Sequence, residues 1–341
     1  MSQSSSFSFF FFFLFFPTRC RECDHNGPLS ISLIISLLSI LIRICDHSSL
    51  DRFGQLSRQI ASLADDYFAY LPNDPPKDIL SRIPSELPSF LDNTAASCEL
   101  RSAYIQHIVS ETLNRRVFQP FLFTLRNCPD KENADAYLQA LSIDIRRKSV
   151  RREALWRQQT LRAAYTASDA RQSINAVAGR IVDEIMHLIT PFADPRPGHL
   201  DTLGLAVRRI VKLAAETWRL ARVEREFILA FFPAPDAKGV VDAEWVEFGT
   251  RESATSTSVG SGVSSPTSNH STSGDSERSN SRSRSGHVVL GVLPRVVREA
   301  AHGDFMEMGD QDHVVPCVYS AGEVLYSDSP VVMARRQELA R

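Results

Sequence analysis

The chain has 341 residues, 43% hydrophobic and 23% charged, with a net charge of −2. That composition is globular, and the length allows one or two domains. Six cysteines (Cys20, Cys23, Cys45, Cys98, Cys128 and Cys317) are too sparse for a disulfide-stapled secreted fold and point to a reducing compartment.

The charge is unevenly placed. Residues 1–99 carry a net −4, residues 100–232 a net +7, and residues 233–341 a net −5. A basic centre between acidic wings implies self-neutralisation, with the wings folding back over the centre. The competing reading is an anionic partner for that centre. A surface of +7 is modest for a dedicated nucleic-acid binder, which favours the first.

Residues 1–50 are unlike the rest. The stretch 4–16 reads SSFSFFFFFLFFP and 29–44 reads LSISLIISLLSILIRI. Ser, Phe, Leu and Pro are the products of pyrimidine-only codons, so residues 1–48 are expected to translate a polypyrimidine tract outside the natural product. Taken at face value, MSQSSS lacks the positive charge of a signal peptide. The 16 residues of 29–44 fall short of the ~20 that span a bilayer, yet their Leu and Ile content would favour insertion. Cys20-x2-Cys23-x-His25 and Cys45-x-His47 have the form of zinc half-sites, but the apolar run between them argues against a zinc knuckle.

Residues 51–94 are expected to hold a short amphipathic helix (51–70, with Phe53, Leu56, Ile60, Leu63 and Phe68) and a Pro-rich linker. Five prolines within 72–92 forbid a long helix there. Residues 95–235 read as a helical bundle core. The first helix, 97–117, shows Leu100, Tyr104, Ile108, Leu113 and Val117. FQPFLFTL (118–125) forms an aromatic turn that plugs the core. A helix then runs from Asp130 to Tyr165 on the face Tyr137, Leu138, Leu141, Ile145, Leu155, Trp156 and Leu161. Ser168 caps a helix over 169–189 striped by Ile174, Val177, Ile181, Ile185 and Leu188. Asp201 caps the last and strongest helix, 203–231, read as uninterrupted. Its apolar face is Leu203, Val207, Ile210, Ala214, Trp218, Ala221 and Ile228. Its basic face is Arg208, Arg209, Lys212, Arg219, Arg222 and Arg225.

Residues 236–286 turn acidic and then Ser-rich, and 253–286 has too little apolar area to offset ordering, so disorder is expected. Residues 287–341 recover pattern. VVLGVLPRVVREAAH reads as an extended segment and a short helix, CVYSAGEVLYSDSP as a hairpin, and PVVMARRQELAR as a final helix. This small α/β tail is too short to stand alone, so docking on the core is expected. The fold class is therefore all-α: a helical bundle with a disordered Ser-rich insertion and a C-terminal α/β tail.

Chemical motifs are missing. There is no GxGxxG after a strand, GxxxxGK[ST], HExxH or GxSxG, and nothing resembles a nucleophile with its base. His107 and His187 read as structural histidines. Asp183, Glu184 and His187 share a helix face, as polar side chains on any amphipathic helix do. No catalytic residue, cofactor or metal is expected. The pointed polar feature is RRKSVRRE. Arg146, Arg147, Lys148, Arg151 and Arg152 cover all faces of one helix, so that helix projects from the bundle or Arg152 pairs with buried acids. A phosphate or acidic-peptide contact is the functional alternative to a solvated segment. Ser281, Ser283 and Ser285 lie beside arginines, a pattern kinases read.

From about Ser97 onward the chain resembles a family of uncharacterised filamentous-fungal helical proteins. The resemblance rests on SAYIQHIVSETLNRRVFQPFLF, RREALWRQQTLRAAYT, INAVAGRIVDEI, VRRIVKLAAETWRLARVERE and VLYSDSPVVMARRQEL. It implies no activity or site residue, and suggests a fungal intracellular protein, cytoplasmic or nuclear. The expected function is a non-enzymatic interaction or scaffold role with a protein partner. The alternatives are nucleic-acid binding through 146–152 and 203–231, and a membrane anchor through 29–44.

Overall fold

The computed structural model describes residues 51–71, 75–194, 196–233, 245–249, 286–300 and 316–341. The expectations for residues 1–50, including the zinc half-sites and segment 29–44, lie outside the described residues. So do 253–285, with Ser281, Ser283 and Ser285. Every described residue belongs to the unit Asp46–Arg341.

Helix α1 covers 51–68 and buries Phe53, Leu56, Ile60, Leu63 and Phe68, the face that its apolar spacing predicts. The segment after it is no spacer, contrary to the linker reading. It carries the one-turn helix α2 (Lys77–Leu80) and buries Ile79, Leu87 and Phe90. Prolines prevent a long helix but leave the apolar side chains free to dock. Their backbone carbonyls then need donors, and one buried side chain supplies several at the two ends of the segment. Arg101, fully buried, donates to the carbonyls of Phe68, Ala69, Phe90 and Asp92. Asn93 completes the clamp by accepting from the Leu71 amide and donating to the Leu71 carbonyl.

Arg101 sits on α3 (Ala95–Leu113), whose Thr94 cap accepts from the Ser97 amide. This helix buries Leu100, Tyr104, Ile105, Ile108, Val109 and Leu113, on nearly all sides, as a central helix must. It ends in a π-helical turn, Asn114–Phe118. Phe118, Phe121, Leu122 and Phe123 are buried, so the aromatic plug forms as expected. A short helix α4 (Phe123–Arg126) and a 3-10 turn (Pro129–Lys131) follow.

The single helix expected over 130–165 is two helices, α5 (Glu132–Lys148) and α6 (Val150–Thr166). Ser149 is extended between them and accepts from the Arg152 amide as the cap of α6. The chain folds back there: Ser142 donates to Glu153 at 2.8 Å. In a continuous helix those residues would lie about 16 Å apart. Helix α7 (Ala170–Ile189) is preceded by Asp169 rather than by Ser168, and no side chain caps it. Helix α8 (His199–Ala221) begins ahead of Asp201, after Gly198 at φ 78°, so Asp201 lies in its first turn. Helices α7 and α8 pack extensively, bringing Val177, Ile181 and Ile185 into one core with Leu203, Val207, Ile210, Ala214 and Trp218.

Helix α8 ends at Ala221, ten residues before the expected end, and Ile228–Phe231 is strand β1. The β component is larger than an all-α class allows. It comprises β2 (Val246–Glu247), β3 (Val288–Leu293), β4 (Arg295–Arg298), β5 (Cys317–Ser320) and β6 (Glu323–Tyr326). Segment 317–326 is not a hairpin with itself. Strand β3 pairs with β6 and β4 with β5, all antiparallel, so 288–298 and 317–326 form one long bent ribbon. Pro294 interrupts one arm, lacking an N–H for the ladder, and Gly322 at φ 75° bends the other. Strand β1 adds to β4, and β2 runs parallel to β6. The result is two three-stranded sheets, ordered β1-β4-β5 and β2-β6-β3. The short helix expected in the later part of VVLGVLPRVVREAAH is instead strand β4 over Arg295–Arg298, and 299–300 are not helical. Helix α9 (Pro330–Leu339) starts on its proline, as expected. The tail packs on α3 through β3 and α9. The fold is thus predominantly helical, with small sheets near its C-terminal part.

Candidate functional site

The basic run divides around the α5–α6 turn. Arg146 points inward: it pairs with Glu299 and lies 4.5 Å from the centroid of the Phe227 ring. Arg147, Lys148, Arg151 and Arg152 are exposed. Arg147 pairs with Asp144 at the surface, 3.3 Å away. The other three have no ion-pair partner among the described residues. Arg152 does not reach a buried acid; the buried acid next to it, Glu153, belongs to Arg157. The hairpin therefore satisfies the requirement that five cations not share one apolar face by breaking the helix and turning one cation in.

The seam of this hairpin is polar. Glu153 and Arg157 form a fully buried ion pair at 3.1 Å, with Ser142 on the same carboxylate. Tyr137 and Leu155, expected on the inner face, are instead exposed, because the seam positions are taken by Asp135, Ser142, Glu153 and Arg157. Arg157 has a second task. Its guanidinium donates to the carbonyls of Arg222, Glu224 and Arg225, while Gln158 donates to that of Val223. The last carbonyls of α8 accept from backbone amides (Trp218 from Arg222, Leu220 from Val223, Ala221 from Glu224), while Arg157 and Gln158 take the four carbonyls that follow, which a continuing helix would need for its own ladder. This is why the apolar pattern past Ala221 does not continue the helix. Burial pushes the Arg157 guanidinium down from its ordinary range, with the Glu153 charge opposing.

The basic face expected on α8 is only partly a surface. Arg208, Arg209, Lys212 and Arg225 are exposed, and Arg219 lies over the Tyr165 ring at 5.8 Å. Arg222 is a correction: it is 8% exposed, turned in between the rings of Phe121 and Phe227, 5.3 and 5.4 Å from their centroids. Burial and the neighbouring Arg157 charge push its pKa down to about 10. One helical turn earlier, Trp218 is 2% exposed and packs on Phe118 with centroids 4.9 Å apart. Both side chains line a cleft of about 500 Å³ between α5, α8 and β1. Asp135, also on its wall, accepts from the Leu122 amide, and burial pushes its carboxyl up. Sequence reasoning placed Trp218 inside but Arg222 outside. The i, i+4 spacing of the two puts them on one face, and this was the available signal.

His107 is structural, as expected: its Nδ1 is 2.6 Å from the Gly291 carbonyl. Asp183 and His187 are exposed, and Glu184 pairs with Arg115 and Arg116 rather than with either. Among the described residues no group of three His, Cys, Asp or Glu is placed to hold a metal ion. None of their helices is long and apolar enough to cross a membrane. No protein-family model, curated protein or solved structure matches this chain.

Proposed function

We propose that this is a non-enzymatic interaction protein whose α5–α6 hairpin presents its basic tip to an acidic protein surface. One observation carries this reading. Four exposed cations, Arg147, Lys148, Arg151 and Arg152, are gathered at one turn, and only Arg147 has a described acidic neighbour. The buried Glu153–Arg157 pair beneath them holds the tip in a fixed shape without using its charges. A preformed cationic projection favours fast, orientation-specific association with an acidic partner. The proposed contact surface is helical, while strand β3 and helix α9 pack on α3. In this reading the fungal-family likeness carries no activity with it.

The test is affinity purification of the tagged full chain beside a variant in which these four residues are glutamate. A stoichiometric protein partner recovered with the parent and lost with the variant supports the reading. A co-purifying fraction that disappears on nuclease treatment replaces it with nucleic-acid binding. Identical partners for both chains refute the role of the tip.

A further inference from the structure

The cleft between α5, α8 and β1 contains an energetic anomaly. A buried arginine ordinarily meets a carboxylate or a set of carbonyls, because an unpaired charge in a low-dielectric site is costly. Arg101 and Arg157 follow that rule, each with several carbonyl acceptors. Arg222 does not. Among the described residues its guanidinium has no hydrogen-bond or ion-pair partner, and its Nε is buried and unsatisfied. The indole Nε1 of Trp218 is buried and unsatisfied as well. Trp218, in the last turn of α8, and Arg222, the residue just past its end, lie four positions apart and line the same cleft. Two buried donors without acceptors, on side chains that line one cleft, suggest an acceptor that arrives from outside.

The walls narrow its chemistry. Phe118, Phe121, Phe227 and Ile143 supply apolar surface, and the Phe121 and Phe227 rings flank the guanidinium. Four arginines against two carboxylates line the cleft, so its field favours an anion. Of the arginines, Arg116 is held by Glu184, and the inner carboxylate, Asp135, is engaged by the Leu122 amide. Arg222 thus remains the charge at depth that has aromatic faces beside it and no described carboxylate or carbonyl partner. The volume, about 500 Å³, suits a small molecule rather than a polymer.

We propose that this cleft binds a small organic carboxylate with an aromatic or branched apolar body, its carboxylate received by Arg222 and Trp218. The guanidinium fork matches a planar carboxylate. The indole N–H adds a third donor, and the rings take the body. This site is separate from the hairpin tip, and neither reading depends on the other.

Calorimetric titration of the full chain tests it, with phenylacetate, indole-3-acetate and 4-methylpentanoate as probes. 2-Phenylethanol serves as the uncharged control and inorganic phosphate as the anion without a body. Saturable binding of at least one acid is expected, with both controls weaker by about tenfold or more. Arg222→Met should weaken that acid by about tenfold or more while leaving the thermal midpoint at or above the parent's, since it removes an unpaired buried charge. Trp218→Phe keeps the ring and deletes the N–H, and should weaken binding by about three- to tenfold. If Arg222→Met does not fold, Trp218→Phe decides. The proposal is overturned if no acid saturates by about 10 mM. It also fails if 2-phenylethanol binds as well as the acids, or if both variants bind unchanged.

Discussion

His107 on α3 and Gly291 on β3 are joined by a 2.6 Å contact between imidazole Nδ1 and a backbone carbonyl, across 184 residues of chain. The carbonyl requires a donor, so Nδ1 carries the proton. Burial pushes this imidazole below its ordinary value of 6.5, against the raising effects of the Gly291 carbonyl and the Glu111 charge. A depressed histidine disfavours the folded state only where the unfolded chain takes up a proton. Stability is therefore full above the unfolded value and falls as pH drops through it towards the folded one. Urea melts between about pH 7.5 and about pH 5 should show this loss. His107→Gln, which keeps a donor and cannot titrate, should flatten that part of the profile.

The Glu153–Arg157 pair predicts an asymmetric response. Arg157→Ala strands the Glu153 charge and removes the donors that end α8, so it should cost ~3–5 kcal/mol in denaturant melts. Replacing exposed Arg151 by alanine should change stability by less than about 0.5 kcal/mol.

Helix α8 makes a paired prediction about its own phase. Trp218→Ala removes a side chain that is 2% exposed and should cost ~3–5 kcal/mol. Its neighbour Arg219 loses only a distant contact with the Tyr165 ring, and Arg219→Ala should cost less than about 1 kcal/mol. Thermal melts that reverse this order would refute the packing of α8.

Asp92 supplies an acid-side prediction. Burial raises its carboxyl, but hydrogen bonds from the Thr94 amide, Arg335 and the Thr94 and Ser97 hydroxyls together outweigh this and hold it at about 2, below its ordinary 3.8. A depressed carboxylate contributes stability above its unfolded pKa, and the contribution disappears as pH falls through the folded value. Asp92→Asn should therefore destabilise the chain at neutral pH, and the deficit should close between about pH 4 and about pH 2.

At the ribbon's bend, a Cβ on Gly322 would lie 2.4 Å from the Trp245 ring and 2.8 Å from the Arg295 backbone nitrogen. Its φ of 75° is also left-handed. Gly322→Ala should cost at least ~1–2 kcal/mol from backbone strain alone, read by thermal melting.

Helices with a single apolar stripe were legible in the sequence: α1 and the first part of α8 bury the side chains that their spacing selects, and α7 buries Val177, Ile181 and Ile185 with Ile174 and Leu188 half-buried. Misreadings occurred where polar groups replaced apolar ones inside. Nothing in apolar periodicity marks Ser149 as a break within an otherwise helical run, or shows that Glu153 and Arg157 face inward. The end of α8 is set by donors on α6, more than 60 residues away in sequence. The ribbon was missed for a related reason. Local spacing suggested that 317–320 should pair with 323–326, whereas the partner strands lie at 288–298. Of the candidate site, the basic tip was visible as composition, and the cleft was not, since it depends on which way Arg222 turns.

The clamp around the Pro-rich segment has a bearing on how the molecule is assembled in time. Arg335 on α9 donates to the Ser89 carbonyl, 246 residues earlier, and also engages Asp92 and Thr94. On the ribosome, residues 75–93 emerge long before that arginine exists. Arg101 can organise them early, but the outer half of the clamp waits until α9 has been made. Contacts of such long range are slow to form because loop closure precedes any reward. During that interval the apolar surface that α9 and the ribbon will cover on α3 stands open. A chain stalled or cut before α9 would expose it permanently, marking truncated products for chaperone capture or aggregation.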